Sequence, residues 1–599
     1  MLYTINTSFQ MLKKSLFTLA GLFACLFLSA QIGDVAPPVP GEKVDHGGIV
    51  INPLPHKVTV DNGATCPLGN GFSLKGDKKL FQLAGFLPTA VGGTSLTLKI
   101  NTSKSYFTKQ NIEPVSGAYR LEIAGNSVNV TGFDKAGVFY GLQTLRQVIE
   151  DGKGTDLPVM TVCDNPTLPL RGVIEGFYGP PWPHEVRLDL IDFMGRNKMN
   201  LYVYGPKDDP YHRTPSWREP YPSEEAAKIA ELVKACKDNL VEFAWAIHPG
   251  GDIRWDAEDY SNILKKFDAM YALGVRSFAI FFDDIKGDGA DANKQAEWLT
   301  TLKKDLFKAH KDIAHLILCP TEYAKARSKP GEDGALAIFG KSLDPAYQIF
   351  WTGDQVMSHV TRSTLEYVGS RTRRPALFWW NFPVSDYILP HILQGPAYGF
   401  DTDLTSKDLS GLLTNPMEHG EASKLAIYSV ADYTWNPSGY NPMDSWERAL
   451  AELVPEDTEA YRLFAIHNCD AGKRFRRAES WETGIIDPDN YTPEQFNRLY
   501  DEFLRMETVP ARMEKACPEM LLKELRPWLV QFGAQASRCR KAMDALRLSK
   551  GSDKAAFRQV LESARMNDEE KKAYEEHSTG TVVLQPFYEK LMEKLEGML

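Results

Sequence analysis

The chain has 599 residues, 43% hydrophobic and 24% charged, too long for one hydrophobic core and ordinary in composition, so about two to four globular domains are expected. A formal net charge of −10 excludes the basic footprint of a nucleic-acid or anionic-membrane binder. Once Cys25 is set aside with the N-terminal segment described next, Cys66, Cys163, Cys236, Cys319, Cys469, Cys517 and Cys539 are scattered without CxxC spacing, so neither a disulfide framework nor a zinc site is indicated.

Residues 1–30 have the layout of a secretory signal peptide: basic Lys13 and Lys14, an apolar run from Ser15 to Leu28, and the small pair Ser29-Ala30 before Gln31. The expectation is export to the periplasm or the medium. Leu22-Phe23-Ala24-Cys25 faintly resembles a lipoprotein cleavage site, but the apolar Leu26-Phe27-Leu28 behind it argues against lipid anchoring. No later stretch reaches the roughly 18 apolar residues of a membrane span.

Residues 31–165 are expected to form a Pro/Gly-rich leader followed by an α+β domain. Ser95–Ile100 and Tyr119–Ile123 alternate apolar and polar residues, Gly125-Asn126 turns the chain into Val128–Val130, and Lys135–Ile149 carries helical spacing. Residues 166–455 are the most regular. Apolar strand candidates recur at Leu170–Gly176, Met199–Tyr204, Val241–Ile247, Ser277–Phe282, Leu316–Cys319, Tyr347–Trp351, Ala376–Trp380 and Leu425–Val430. Helical patterns at His184–Asn197, Ser223–Asn239, Asp256–Leu273 and Asp291–Lys311 separate the first five. Continuous apolar strands alternating with helices mean a parallel sheet, and eight such units predict an α/β fold, a (β/α)₈ barrel. A doubly wound open sheet is the rival, but no Gly-rich phosphate fingerprint follows the first strand. Residues 456–599 read as a helical bundle over Pro493–Lys515, Glu519–Ser549, Lys554–Glu576 and Gln585–Gly597.

In such a barrel the strand C-termini carry function. Here Gly176 and Tyr178, Lys207, His248, Asp283 and Asp284, Tyr323, Thr352, Asn381 and Asp386 follow successive strands, a mixture that ordinary turn chemistry does not produce. The adjacent acids at the end of Phe278–Phe282 stand out. Buried like charges oppose ionisation, so at least one of the two carboxyls should titrate above the usual range; a helix N-cap is the alternative role. Strand neighbours point to opposite sides, which makes a backside protein nucleophile doubtful. A nucleophile supplied by a 2-acetamido sugar, with one acid orienting the amide and the other moving the proton, fits two adjacent acids better. His212, His248 and His419 lack HxH or HExxH spacing, so no metal and no cofactor are expected.

The stretches RGVIEGFYGPPW, NLYVYGPKDDPYH, FFDDI, CPTEY, WTGD, WWNFPVSDY and LLTNPMEH together resemble the O-GlcNAcase and bacterial β-N-acetylglucosaminidase family of glycoside hydrolases. The resemblance implies retaining, substrate-assisted hydrolysis through an oxazoline. It implies that Asp283 polarises the acetamido group and Asp284 is the general acid/base. It further implies sugar binding by Gly176, Lys207, Asn381, Asp386 and Asn415, with Tyr323 near the reacting centre and Tyr178 on the leaving-group side. Cys319, Thr352, Val356 and Trp379 are implied to line the acetamido pocket. The expected partners are N-acetylglucosamine-containing glycans or glycoproteins. An endo-acting hyaluronidase-like hydrolase and a non-catalytic carbohydrate-binding barrel stay open as alternatives, and the sequence leaves the oligomeric state open.

Overall fold

The structure is a computed structural model describing residues 48–152, 156–469 and 483–599; the expected signal peptide and leader lie outside the described residues. The first part is a mixed six-stranded sheet of β1 (Lys57–Cys66), β2 (Phe72–Gly76), β3 (Thr94–Ile100), β4 (Tyr119–Ala124), β5 (Ser127–Gly132) and β6 (Leu157–Asp164), in the order β1-β6-β4-β5-β3-β2. β4 and β5 pair antiparallel across Gly125-Asn126, where Gly125 takes a positive φ, and their alternating residues bury one face. The helix Lys135–Asp151 covers that face; the Asp134 side chain caps it by accepting from the Gly137 amide.

The central part is a closed barrel of eight parallel strands: β7 (Leu170–Glu175), β8 (Leu201–Tyr204), β9 (Glu242–Ile247), β10 (Ser277–Phe281), β11 (His315–Cys319), β12 (Tyr347–Trp351), β13 (Ala376–Trp380) and β14 (Leu409–Thr414). The predicted helices between the first five strands are present within one or two residues of the expected bounds. Period-two alternation sends Ala279 and Phe281 into the lumen with Ile317, Cys319, Leu377, Trp379 and Leu413, and sends Phe278 and Ile280 outward against the helices.

The eighth strand was misplaced by sequence reasoning. It is Leu409–Thr414, and the predicted Leu425–Val430 lies inside the helix Gly420–Trp435. Every residue of that helix is buried, so its apolar run lacks the polar face that marks a helix, and periodicity alone reads it as a strand. Asn415 therefore follows the last barrel strand instead of preceding it.

The last part is helical: Pro493–Ala516, Glu519–Ser549, Lys554–Ala564, Asp568–Glu576 and Leu584–Glu596. The single helix predicted over Lys554–Glu576 is two, because Arg565 leaves helical geometry and Asn567 opens a new helix with a capping box to Glu570. This bundle packs on the barrel near the strand ends. Trp528 Nε1 donates to the Pro390 carbonyl at 2.8 Å, and the Glu524 carboxylate accepts from the Ala422 amide at 2.8 Å. The first contact steadies the loop that carries Asp386; the second caps the helix that follows Asn415. Among the described residues no helix is long and apolar enough to cross a membrane.

Candidate active site

The floor of the site is aromatic. Phe281, Phe350 and Trp379 meet at centroid separations of 5.2–6.2 Å near the C-terminal end of the lumen. Gly176, directly after β7, is required by this packing: a Cβ there would lie 2.5 Å from the Trp379 ring.

Above the floor sits the acid pair. β10 stops at Phe281, and Asp284 has φ of 56°. This left-handed residue, uncommon for anything but glycine, asparagine or aspartate, breaks strand alternation. Both carboxylates consequently face one cavity of about 520 Å³ instead of opposite sides, which revises the expectation from strand geometry. Asp283 is buried and Asp284 is exposed.

Lys207, after β8, donates to Asp283 Oδ2 at 2.6 Å, and both side chains are almost wholly removed from solvent. Burial pushes the Asp283 carboxyl up, but the Lys207 ammonium and then His248 outweigh it and hold it well below the usual carboxylate range. The expectation of a raised pKa is thus overturned for Asp283, because sequence adjacency did not reveal the cation beside it. Lys207 loses by burial and gains more from Asp283, so it titrates above an ordinary lysine. Burial lowers the His248 pKa, and its Nε2 lies 2.9 Å from the Asp283 carbonyl oxygen. A carbonyl only accepts, so the neutral ring carries its proton on Nε2 and leaves Nδ1 as an acceptor.

Asp284 is held differently. Tyr323 Oη and Arg327 Nη1 both donate to its Oδ1 at 2.8 Å, and Tyr178 Oη reaches its Oδ2 at 3.3 Å. Burial, then Asp284 beside it, raises the Tyr323 phenol, which stays a donor.

The remaining predicted residues join the same network. The Tyr178 amide donates to Asp386 Oδ2 at 2.8 Å, so Asp386 ties the loop after β13 to the loop after β7; burial raises its pKa. Trp379 Nε1 and Asn415 Nδ2 each donate to Asn381 Oδ1 at 2.9 Å, and Asn381 Nδ2 donates to the Val356 carbonyl at 2.7 Å. The Thr352 amide donates to the Tyr323 carbonyl, and its hydroxyl to the Gln355 carbonyl at 2.9 Å. Cys319 lies at the end of β11 beneath Asp283, its thiol pushed far up by burial. Every predicted site position is therefore brought together.

Other strand-end acids have structural work. Glu175 is paired with Arg187 at 2.7 Å and accepts from the Trp182 amide. Asp209 accepts from Tyr204, Tyr221 and the Tyr211 amide. Sequence reasoning missed Arg327, which arrives from a short turn in the loop after β11 with nothing in its surroundings to mark it. It also left His248 without a role, although its position directly after β9 was a usable signal.

Three buried acceptor atoms of this site, Asp283 Oδ1, His248 Nδ1 and Asn415 Oδ1, accept no hydrogen bond among the described residues, although His248 Nε2 stands 3.6 Å from Asp283 Oδ1. Buried acceptors without partners are costly, so these atoms are placed to receive N–H and O–H donors; Asp283 and His248 line the cavity and Asn415 does not. Among the described residues no cluster of His, Cys, Asp and Glu suited to a metal ion occurs.

Comparison with known proteins agrees with this geometry. The sequence profile of the β-N-acetylglucosaminidase family matches residues 171–466, and that of glycosyl hydrolase family 20, domain 2, matches residues 49–165. The chain is 34% identical to the protein O-GlcNAcase of Rattus norvegicus over 281 residues, 45% of this chain and 30% of the rat protein, so it spans under a third of that relative's length. The structure of CpGH84B is 30% identical, has a TM-score of 0.79, and is covered completely by 91% of this chain. A mutant O-GlcNAc hydrolase of Thermobaculum terrenum is 28% identical with a TM-score of 0.64, over 72% of this chain and 96% of that one. With its barrel, its acid pair and these relatives in agreement, the chain belongs to the O-GlcNAcase and bacterial β-N-acetylglucosaminidase family of glycoside hydrolases.

Proposed function

We propose that the protein releases terminal β-linked N-acetylglucosamine from glycans or modified proteins with retention of configuration, the substrate's own acetamido group acting as nucleophile. The observation that carries this reading is Asp283: an ionised, buried carboxylate with one oxygen held by Lys207 and the other accepting no hydrogen bond among the described residues, His248 Nε2 standing 3.6 Å from it. An acetamido N–H fits that oxygen. Accepting it orients the amide and increases the electron density on the acetamido carbonyl oxygen, which attacks C1. As the bond to C1 forms, the bond from C1 to the leaving oxygen breaks, and Asp284 delivers its proton to that oxygen. Asp283 keeps the N–H of the resulting oxazolinium ring in its hydrogen bond, and Asp284 then takes a proton from water as the water opens that ring at C1. Two inversions return the β-anomer. The adjacency of the acids supports the division of labour, since both reach one cavity from a single turn.

The test is hydrolysis of an aryl β-N-acetylglucosaminide followed by proton NMR. The expected first product is the β-anomer of N-acetylglucosamine. Initial α-anomer, or no turnover, contradicts the reading.

We also propose that the protein is exported, on the strength of the Lys13-Lys14 basic region, the apolar run behind it and the small pair at Ala30. Protein recovered outside the cytoplasm should begin at Gln31 on N-terminal sequencing; a mature chain retaining the basic region contradicts export by this route.

A further inference from the structure

The cavity beside Asp284 carries a charge arrangement that cleavage of the amino sugar itself does not use. It shares Tyr178, His248, Asp283 and Asp284 with the network described above, but the rest of its wall includes residues with no part in that network: Arg213 after β8, Asp252 after β9 and Lys286 after β10. Trp379, Asn381, Asp386 and Asn415 do not line it. Tyr178 and Asp284 thus stand at a border. A sugar held over the aromatic floor and protonated at its leaving oxygen by Asp284 directs that leaving group into this cavity.

Each carboxylate lining the cavity is already paired with a cation. Asp283 is bound to Lys207 at 2.6 Å, Asp284 to Arg327 at 2.8 Å, and Asp252 to Arg218 at 2.7 Å with further donors from Thr214 and Trp217. The cations are not paired. Arg213 spends one N–H on the Lys207 carbonyl at 3.0 Å, and Lys286 is exposed. Neither forms an ion pair with a carboxylate among the described residues. The exposed Asp208 feels the charge of Arg213 without pairing with it. The cavity therefore presents a guanidinium fork and an ammonium from two separate loops, both available to an incoming anion.

We infer that this cavity is a leaving-group subsite that selects aglycones bearing an anionic substituent, a carboxylate or a sulfonate-like group. The inference rests on the hydrolase reading above and adds the chemical class of the aglycone to it.

The experiment compares three aryl β-N-acetylglucosaminides whose substituents are insulated from the phenol oxygen by a methylene: 4-(carboxymethyl)phenyl, 4-(sulfomethyl)phenyl and 4-(carbamoylmethyl)phenyl. Leaving-group ability is then nearly matched, and the ratio of kcat/KM for an anionic substrate to that for the neutral amide isolates recognition. The expected ratio is about fivefold at low salt, shrinking in roughly 0.5 M salt, as for partly exposed charge pairs. It should fall to about one in the Arg213→Gln/Lys286→Gln double variant. Because the ratio is internal to each protein, a general loss of activity cancels. Preference for both anions, or for the carboxylate alone, supports the subsite and says how selective it is. A ratio of one in the unaltered protein, or a preference that survives both substitutions, overturns it while the neutral glycoside still reports hydrolysis. No turnover of any of the three overturns the hydrolase reading and this inference together.

Discussion

Replacing Asp284 by alanine should lower kcat/KM by about 10²–10⁴-fold on an alkyl or glycan-linked β-N-acetylglucosaminide, and by about tenfold or less on a dinitrophenyl glycoside. The difference follows from what the side chain does. An alkoxide leaving group needs a proton as the bond to C1 breaks; a dinitrophenolate leaves without one. Since kcat/KM reports the first irreversible step, the later use of Asp284 as a base does not mask the contrast. Tyr323 and Arg327, both donating to Oδ1, fix the carboxyl so that Oδ2 is the oxygen turned toward Tyr178 and the leaving-group cavity. The pair with Arg327 is half-exposed and contributes little stability, so the fold should survive the substitution. Steady-state rates on the two substrate classes check this. Equal losses on both would remove Asp284 from the role of proton donor.

The barrel was legible because its strands are buried on both faces and read as continuous apolar runs between amphipathic helices. That contrast disappears where a helix is itself buried all round, as at Gly420–Trp435, and the eighth strand was lost there. Leu409–Thr414 was overlooked because Ser410 and Gly411 dilute its apolar character; Gly411 is needed because a Cβ there would lie 2.3 Å from the Leu170 carbonyl oxygen. The site residues were legible because each lies at or after the C-terminal end of a strand, and a closed barrel brings all strand ends to one face whatever their spacing in the chain. Charge compensation was not legible. That Lys207 neutralises Asp283 across 76 positions, or that Arg327 reaches Asp284, is a property of side-chain placement, and it reversed the expected direction of the Asp283 titration. The left-handed turn at Asp284 was equally invisible, since aspartate is only one of several residues that tolerate it.

The Lys207–Asp283 pair yields the other large effect. Each side chain is nearly inaccessible, so removing either partner strands a charge in a poorly solvated place. Lys207→Met should cost about 3–5 kcal/mol of folding stability, and Asp283→Asn a similar amount by leaving the ammonium unpaired. The double variant should recover much of that loss, because two neutral side chains need no compensation, yet it should remain inactive, because no carboxylate is left to accept the acetamido N–H. The pH dependence separates this from simple loss of packing. In the unaltered protein the Asp283 carboxyl titrates below its unfolded value of roughly 3.9, so its contribution is complete above that pH and is lost as pH falls through the lowered folded value. In Lys207→Met the chief offset to burial is gone and only the weaker influence of His248 remains, so the carboxyl is expected to titrate above the unfolded value. The sign then reverses: that variant loses stability as pH rises from about 4 toward 7, and the acid limb of its kcat/KM profile moves to higher pH by more than about one unit. Urea denaturation of the four proteins between pH 4 and 8, alongside the pH–rate profiles, tests both halves. If Lys207→Met and the unaltered protein keep parallel stability curves across that range, the lysine does not set the charge of Asp283, and the acetamido-orienting carboxylate must be held ionised by something else.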